Sequence, residues 1–203
     1  MVSGSLDQKA RIYSLAADGK SAVVRAILQG HDGAVRAAIF SADGRSVLTA
    51  GDDRTLRLWT REGVQLASIP VAVDGVDEVA LSPDQQQLGA VGGQGQLLRW
   101  SRDAGGRVRP LTQAPTTKLP PIRRLAFGPL AGQLAMMTRE AQPMLLLWDR
   151  EVLAHRLPTG HRTEVRTLSY SPDGQRLISG GQDGTARVFR TDGSDIPIVL
   201  SGH

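Results

Sequence analysis

Three side chains in the first third of the chain, His31, Thr49 and Asp53, have the types of a hydroxyl–imidazole–carboxylate triad, and His161, Ser179 and Asp183 repeat those types further on. In a hydrolase such a trio turns the hydroxyl into a nucleophile, with the imidazole as base and the carboxylate orienting it. The local sequence argues against that chemistry. Thr49 stands inside an apolar run, Ser46-Val47-Leu48-Thr49-Ala50, with none of the sharp turn that exposes a nucleophile. Metal binding is no better served. The chain has no Cys, the histidines of Gly30-His31 and Gly160-His161 lie far apart, and His155 has no second ligand at metal spacing. Gly92-Gly93-Gln94-Gly95 is glycine-rich but lies between two strand-like runs, with no following helix to hold a phosphate at its N-terminus. No catalytic, cofactor or metal site is expected.

Composition narrows the remaining classes. With 203 residues, 40% hydrophobic and 22% charged, the chain has enough apolar material for a folded domain. Its 23 Gly and 11 Pro imply many turns rather than long helices. No apolar run reaches membrane-spanning length and no leader pattern opens the chain, so a cytoplasmic setting without a membrane partner is expected. The net charge of +4 comes almost wholly from Arg, since Lys9, Lys20 and Lys118 are the only lysines. These arginines are scattered among acids, and the longest basic run is Arg123-Arg124, so a nucleic-acid footprint is not expected.

The elements that must position these residues are set by an internal repeat. Phe40-Ser41-Ala42-Asp43-Gly44, Leu81-Ser82-Pro83-Asp84-Gln85 and Tyr170-Ser171-Pro172-Asp173-Gly174 share one turn phrase, with a weaker copy at Phe127-Gly128-Pro129. Their spacings are 41, 46 and 43 residues. An aromatic closing a short apolar run recurs at Tyr13, Trp59, Trp100, Trp148 and Phe189, spaced by 46, 41, 48 and 41. Gly-His recurs at Gly30-His31, Gly160-His161 and Gly202-His203. Within one period, residues 34–69, four short runs with strand alternation are separated by turns such as Ser41-Ala42-Asp43-Gly44 and Asp52-Asp53-Arg54. Four such strands make an antiparallel sheet with two apolar faces, which must stack on its neighbours.

A period of this length, with Gly-His early and an aromatic late, resembles the WD-repeat family of β-propellers, in a bacterial-type array. The resemblance implies an all-β propeller arc of four full four-stranded blades after an N-terminal half-blade. The expected divisions are 1–29, 30–70, 71–113, 114–158 and 159–203. Residues 9–15 and 22–28 are read as the third and outer strands of the half-blade, its first two strands being absent. Because both ends cut through a repeat, the chain reads as part of a longer propeller, or as an arc that dimerises through open blade edges.

The resemblance also gives His31, Thr49, Asp53 and Trp59 a structural role, as a buried hydrogen-bonded tetrad. His161, Ser179 and Asp183 form a second set in which Phe189 replaces the Trp. The half-blade offers Ser3, Asp7 and Tyr13. Ala90 and Gln94 break the pattern in front of Trp100, and Thr138 and Gln142 are assigned to the hydroxyl and acid positions in front of Trp148. Arg36, Asp77, Arg123 and Arg166 occupy equivalent first-strand positions, which the resemblance places at the partner-binding face as a mostly basic rim. Asp52, Gln182 and Leu6, just before the turn acids or their equivalents, form a second set there. These arginines could instead pair with acids such as Asp32, Glu78 and Glu164. The expected function is a non-catalytic scaffold or sensor that binds a protein or peptide within a larger signalling protein. A propeller hydrolase or lyase with a central-channel site, and weak nucleic-acid binding through Arg, are the alternatives. The segment Pro110 to Pro121 is either a proline-rich ligand for a partner domain or a surface loop.

Overall fold

A computed structural model describes residues 1–111, 119–149, 152–194 and 196–202. The central part of the proline-rich segment, residues 112–118, and the His of the last Gly-His lie outside the described residues. Every regular element among the described residues is a β-strand, so none is a helix long and apolar enough to cross a membrane.

Strands β1 (Val2–Gly4), β2 (Lys9–Leu15) and β3 (Ala22–Gln29) form the first sheet. The second contains β4 (Val35–Phe40), β5 (Ser46–Gly51), β6 (Thr55–Thr60) and β7 (Gln65–Pro70). β8 (Val76–Leu81), β9 (Gln87–Gly92), β10 (Leu97–Arg102) and β11 (Val108–Pro110) make the third. In the fourth are β12 (Ile122–Phe127), β13 (Leu134–Thr138), β14 (Met144–Asp149) and β15 (Val152–Pro158). The fifth has β16 (Val165–Tyr170), β17 (Arg176–Gly181), β18 (Thr185–Arg190) and β19 (Ile198–Ser201). In each sheet the strands follow chain order, as a meander of hairpins.

The first sheet departs from the expected two strands. Val2, Ser3 and Gly4 pair antiparallel with Ile12, Arg11 and Ala10, so the segment before the first turn is already a second strand of the blade pattern. Three residues are too short to show alternation in a sequence, which is why this strand is hidden until its partner is seen.

The first three sheets form one compact unit and the last two another. Within the first unit, side chains from both faces of β5 are used. Val47 joins Ala10, Ile12, Leu28, Val35 and Trp59 in a core with the first sheet. Leu48 and Ala50 point the other way, into a core with Val76, Val79, Leu88 and Trp100 of the third. In the second unit, Ala135, Met137, Leu145 and Leu147 pack against Val165, Leu177 and Phe189. Leu48 is fully buried, whereas Ile178, at the same position 130 residues later, is 43% exposed. Strand periodicity therefore assigns a side chain to a face, and stacking decides whether that face is dry.

The turn phrase is explained by its geometry. Ser41 Oγ lies 2.6 Å from Asp43 Oδ1 and accepts from the Ser46 N–H at 2.9 Å, closing the β4–β5 turn, and Gly44 sits at φ 68°. Gly174 does the same at φ 70°, but in the third sheet the position is Gln85, held at φ 60°. A side chain in this left-handed region costs about 1–2 kcal/mol. Part of that returns when Gly is introduced, because Gly loses more entropy on folding. Gln85→Gly is expected to raise the unfolding free energy by about 0.5–1 kcal/mol, read as a higher urea midpoint with unchanged slope. A lower midpoint would show that the Gln85 side chain contributes more than its backbone strain costs.

Candidate functional site

The candidate partner residues share a backbone feature that the sequence does not announce. Each full sheet has a β-bulge near the start of its first strand. Register shifts lie between Val35 and Ala37, Val76 and Glu78, Ile122 and Arg124, and Val165 and Thr167. The extra residues are Arg36, Asp77, Arg123 and Arg166. A bulge leaves its residue out of the ladder and re-aims its side chain.

In the first unit Arg36 is engaged by Asp52: Arg36 Nε donates at 2.9 and 3.0 Å to the two carboxylate oxygens, and Nη2 donates at 2.7 Å. This guanidinium holds the Asp52 carboxyl below the usual carboxylate range. In the second unit Glu164 bridges Arg123 and Arg166, contacting Arg123 Nη2 through one oxygen and Arg166 Nη2 at 3.0 Å through the other. The Gln182 amide oxygen, in the orientation that matches donors to acceptors, accepts from Arg166 Nε at 3.0 Å and from Nη2. Arg36–Asp52 and Arg166–Gln182 are thus the same pair of positions 130 residues apart, with a carboxylate in one and an amide in the other. Arg36, Arg123 and Arg166 are thus each ion-paired with an acid. Glu164 takes the role anticipated for it, while Arg36 uses Asp52 rather than Asp32. Leu6 is exposed and the position after it, Asp7, pairs with Arg11 through both oxygens.

The triad-like residues lie side by side. His31 Nδ1 is 3.0 Å from both Asp53 oxygens, and Nε2 is 2.7 Å from Thr49 Oγ1. The Trp59 indole N–H donates to Thr49 Oγ1 at 2.8 Å. Burial drives the His31 imidazole below its ordinary pKa, against the pull of Asp53. Burial acts to raise Asp53, but donation from the Asp32 N–H, His31 and Thr55 outweighs it and leaves the carboxyl low. A neutral imidazole facing a carboxylate donates from Nδ1, so Nε2 accepts from the Thr49 hydroxyl. Every hydrogen then runs one way, from Trp59 through Thr49 and His31 to Asp53. Thr49 is 0% exposed and its hydroxyl is engaged on both sides, so this trio has no nucleophile to offer a substrate.

The second set repeats the arrangement. His161 Nδ1 is 3.1 Å from both Asp183 oxygens and Nε2 is 2.8 Å from Ser179 Oγ, with Phe189 in place of the indole. Two further participants were not picked out from sequence. Thr55 and Thr185 donate to Asp53 at 2.9 Å and to Asp183 at 2.7 Å. Gly51 and Gly181 leave room for the imidazoles, since a Cβ would lie 2.5 Å from His31 Nδ1 or His161 Nδ1. Both pairs recur at the 130-residue offset, which was the available signal.

In the fourth sheet the expected hydroxyl position moves. Trp148 pairs with Leu134 as Trp59 pairs with Val47, so Met136, not Thr138, stands where Thr49 does. Thr138 accepts instead from the Met144 N–H at 2.9 Å in the following hairpin. The indole of Trp148 is buried with no hydrogen-bond partner among the described residues. In the first sheet Ser3 Oγ and the Tyr13 hydroxyl are 3.5 Å apart, a weak version of the same contact. No three His, Cys, Asp or Glu side chains gather as a metal site among the described residues.

Comparison with known proteins places the repeat. The model of the WD domain, G-beta repeat, matches residues 22–60 and 152–190. The chain thus carries WD repeats at these two stretches. The matched stretches run from β3 through β6 and from β15 through β18, so each begins on the outer strand of one sheet and ends on the third strand of the next. The chain is 27% identical over 176 residues to apoptotic protease-activating factor 1 of Mus musculus, covering 86% of this chain and 13% of that protein. It is 26% identical to the serine-threonine kinase receptor-associated protein of Gallus gallus, over 94% of this chain and 51% of the relative. Nuclear distribution protein PAC1 of Arthroderma otae is 26% identical, matching 100% of this chain and 38% of its own length. The chain spans about half or less of the length of these relatives.

Two outcomes are expected from the tetrad. Thr49→Val orphans His31 and Trp59 together and should cost about 2–3 kcal/mol, whereas Ser179→Ala orphans only His161 and should cost about 1–2 kcal/mol. Equal losses in urea denaturation would mean that the indole bond contributes nothing. The second outcome concerns pH. The folded value of His31 lies below the ordinary 6.5, so the unfolded chain binds the extra proton. Stability from this group is complete above 6.5 and falls as pH drops below it toward the folded value. The His31 ring resonances should stay those of the neutral form as the pH is lowered through 6.5. Titration of His31 at or above the ordinary value would contradict the burial argument.

Proposed function

We propose that this chain is a non-catalytic interaction scaffold or sensor that presents the bulged ends of its first strands to a protein or peptide partner, as part of a larger cytoplasmic signalling protein. WD-repeat families are generally non-enzymatic and their members typically act as interaction scaffolds or regulators. The observation that carries the reading is the repetition of the bulge: four equivalent backbone irregularities each carry a charged side chain, Arg36, Asp77, Arg123 and Arg166, out of the ladder. Bulges cost ladder hydrogen bonds and concentrate where a side chain must be aimed. Arginine paired with Asp52, or with Glu164 and Gln182, is pre-organised in a planar fork, so less entropy is lost when a partner's carboxylate or carbonyl joins it. The names of the relatives, a receptor-associated protein and a protease-activating factor, describe proteins that act on or with other proteins.

The test is a triple variant, Arg36→Gln with Arg123→Gln and Arg166→Gln, compared with the parent in cross-linked capture from cell extract. Loss of the captured protein, with an unchanged β-rich circular dichroism spectrum, is expected. Undiminished capture by the folded variant would remove these residues from the binding surface.

A further inference from the structure

The outer strands of the sheets differ in how their free edges are protected. An unpaired edge offers a row of N–H and C=O groups to any strand that can align with it, and proteins blunt such edges with charge, proline or bulges. Strand β3 carries Arg25 and a register shift against Ile12 and Tyr13. β7 ends in Pro70 and is shifted against Leu58 and Trp59. β11 is three residues long and contains Arg109 and Pro110. β15 contains Arg156 and Pro158 and is shifted against Leu147 and Trp148. Strand β19, Ile198-Val199-Leu200-Ser201, has no charge and no proline, and it pairs with β18 without a shift, Thr185 to Ser201 through Val188 to Ile198. Among the described residues it is the one outer strand lacking all three protections.

We propose that the outer edge of β19 pairs antiparallel with β19 of a second copy of this chain. Two identical strands paired antiparallel obey a two-fold axis, so a single contact closes on itself and makes a discrete dimer. Such pairing brings each strand's charges close to their own copies, which disfavours edges like β3 and β15. In β19 there is no charge to repel, and Ile198, Val199 and Leu200 are all about half exposed. Beside the strand, Arg176, Val188, Phe189, Arg190, Ile196 and Ile198 line a recess of about 400 Å³. Ile196, 91% exposed at its rim, is a further apolar group that a second copy would cover. The surface is distinct from the bulged strand ends proposed to bind a partner, so the two proposals stand or fall separately.

The absence of Cys from the chain makes the test direct. Paired antiparallel residues lie within disulfide reach of each other. Single substitutions Val199→Cys and Leu200→Cys in the full chain are oxidised under mild conditions beside Val24→Cys on β3 and Leu66→Cys on β7. Sedimentation velocity of the parent and of Val199→Glu runs in parallel. Glu is chosen because the residue paired with Val199 is Arg187, which accommodates it within the folded sheet. Only a residue at the two-fold axis faces its own copy, so the expected result is a cross-linked dimer from one of the two β19 cysteines and from neither control, and a parent dimer lost in Val199→Glu with circular dichroism unchanged. A parent that is monomeric at every concentration, a dimer that survives Val199→Glu, or equal cross-linking on β3 and β7 would each overturn the proposal.

Discussion

A four-stranded sheet with apolar side chains on both faces has no stable existence alone, and this constraint organises the molecule. Strand β5 shows it best. Its alternate residues Val47 and Leu48 enter separate cores on opposite sides, so the strand is buried throughout although it belongs to a thin sheet. Burying a single Leu or Val side chain contributes roughly 1.5–3 kcal/mol. Much of the stability of a sheet therefore resides in neighbours to which it makes no ladder hydrogen bond. The contrast between buried Leu48 and exposed Ile178 shows the same sequence position in two states of coverage.

The polar tetrad works within this constraint. The outer strand of one sheet and the first strand of the next are joined by a linker carrying His31 or His161, and the Asp53 or Asp183 hairpin captures that linker through the imidazole and a backbone N–H. The hydrogen bonds fix where the linker passes and so fix how neighbouring sheets meet. In the third and fourth sheets apolar packing takes over. Ala90 and Met136 fill the hydroxyl position, and the Trp148 indole is buried with no hydrogen-bond partner for its N–H among the described residues. Degeneration of the repeat thus replaces directional contacts with non-directional ones.

Most of the strand order was legible in the sequence, because turn phrases mark the first hairpin and closing aromatics the third strand of each full sheet. The tetrad around Thr49 was implied by the resemblance to the WD-repeat family. The error at Thr138 has a specific cause. Counting back ten residues from Trp59 reaches Thr49, and the same count from Trp148 reaches Thr138. The hairpin between β13 and β14 holds five residues where that between β5 and β6 holds three, and the extra two displace the count. The bulges at Arg36, Asp77, Arg123 and Arg166 were not legible at all. A bulge leaves the alternation of apolar residues nearly intact over so short a strand. The ion pairs that compensate the arginines were also hidden, because Asp52 and Arg36 meet across a hairpin rather than along the chain.

The phase of the repeat has a consequence for how such a chain can lengthen. The unit recognised at residues 22–60 starts on β3 and ends on β6, so it straddles two sheets rather than coinciding with one. A tandem duplication of that unit would not append a free-standing sheet. It would supply the missing outer strand to what came before and three strands awaiting an outer strand from what comes after. Every copy is then spliced into its neighbours by the peptide backbone itself, and no duplication event need pass through an intermediate held together by side-chain contacts alone. Growth by copying and mechanical continuity are, in this architecture, the same property.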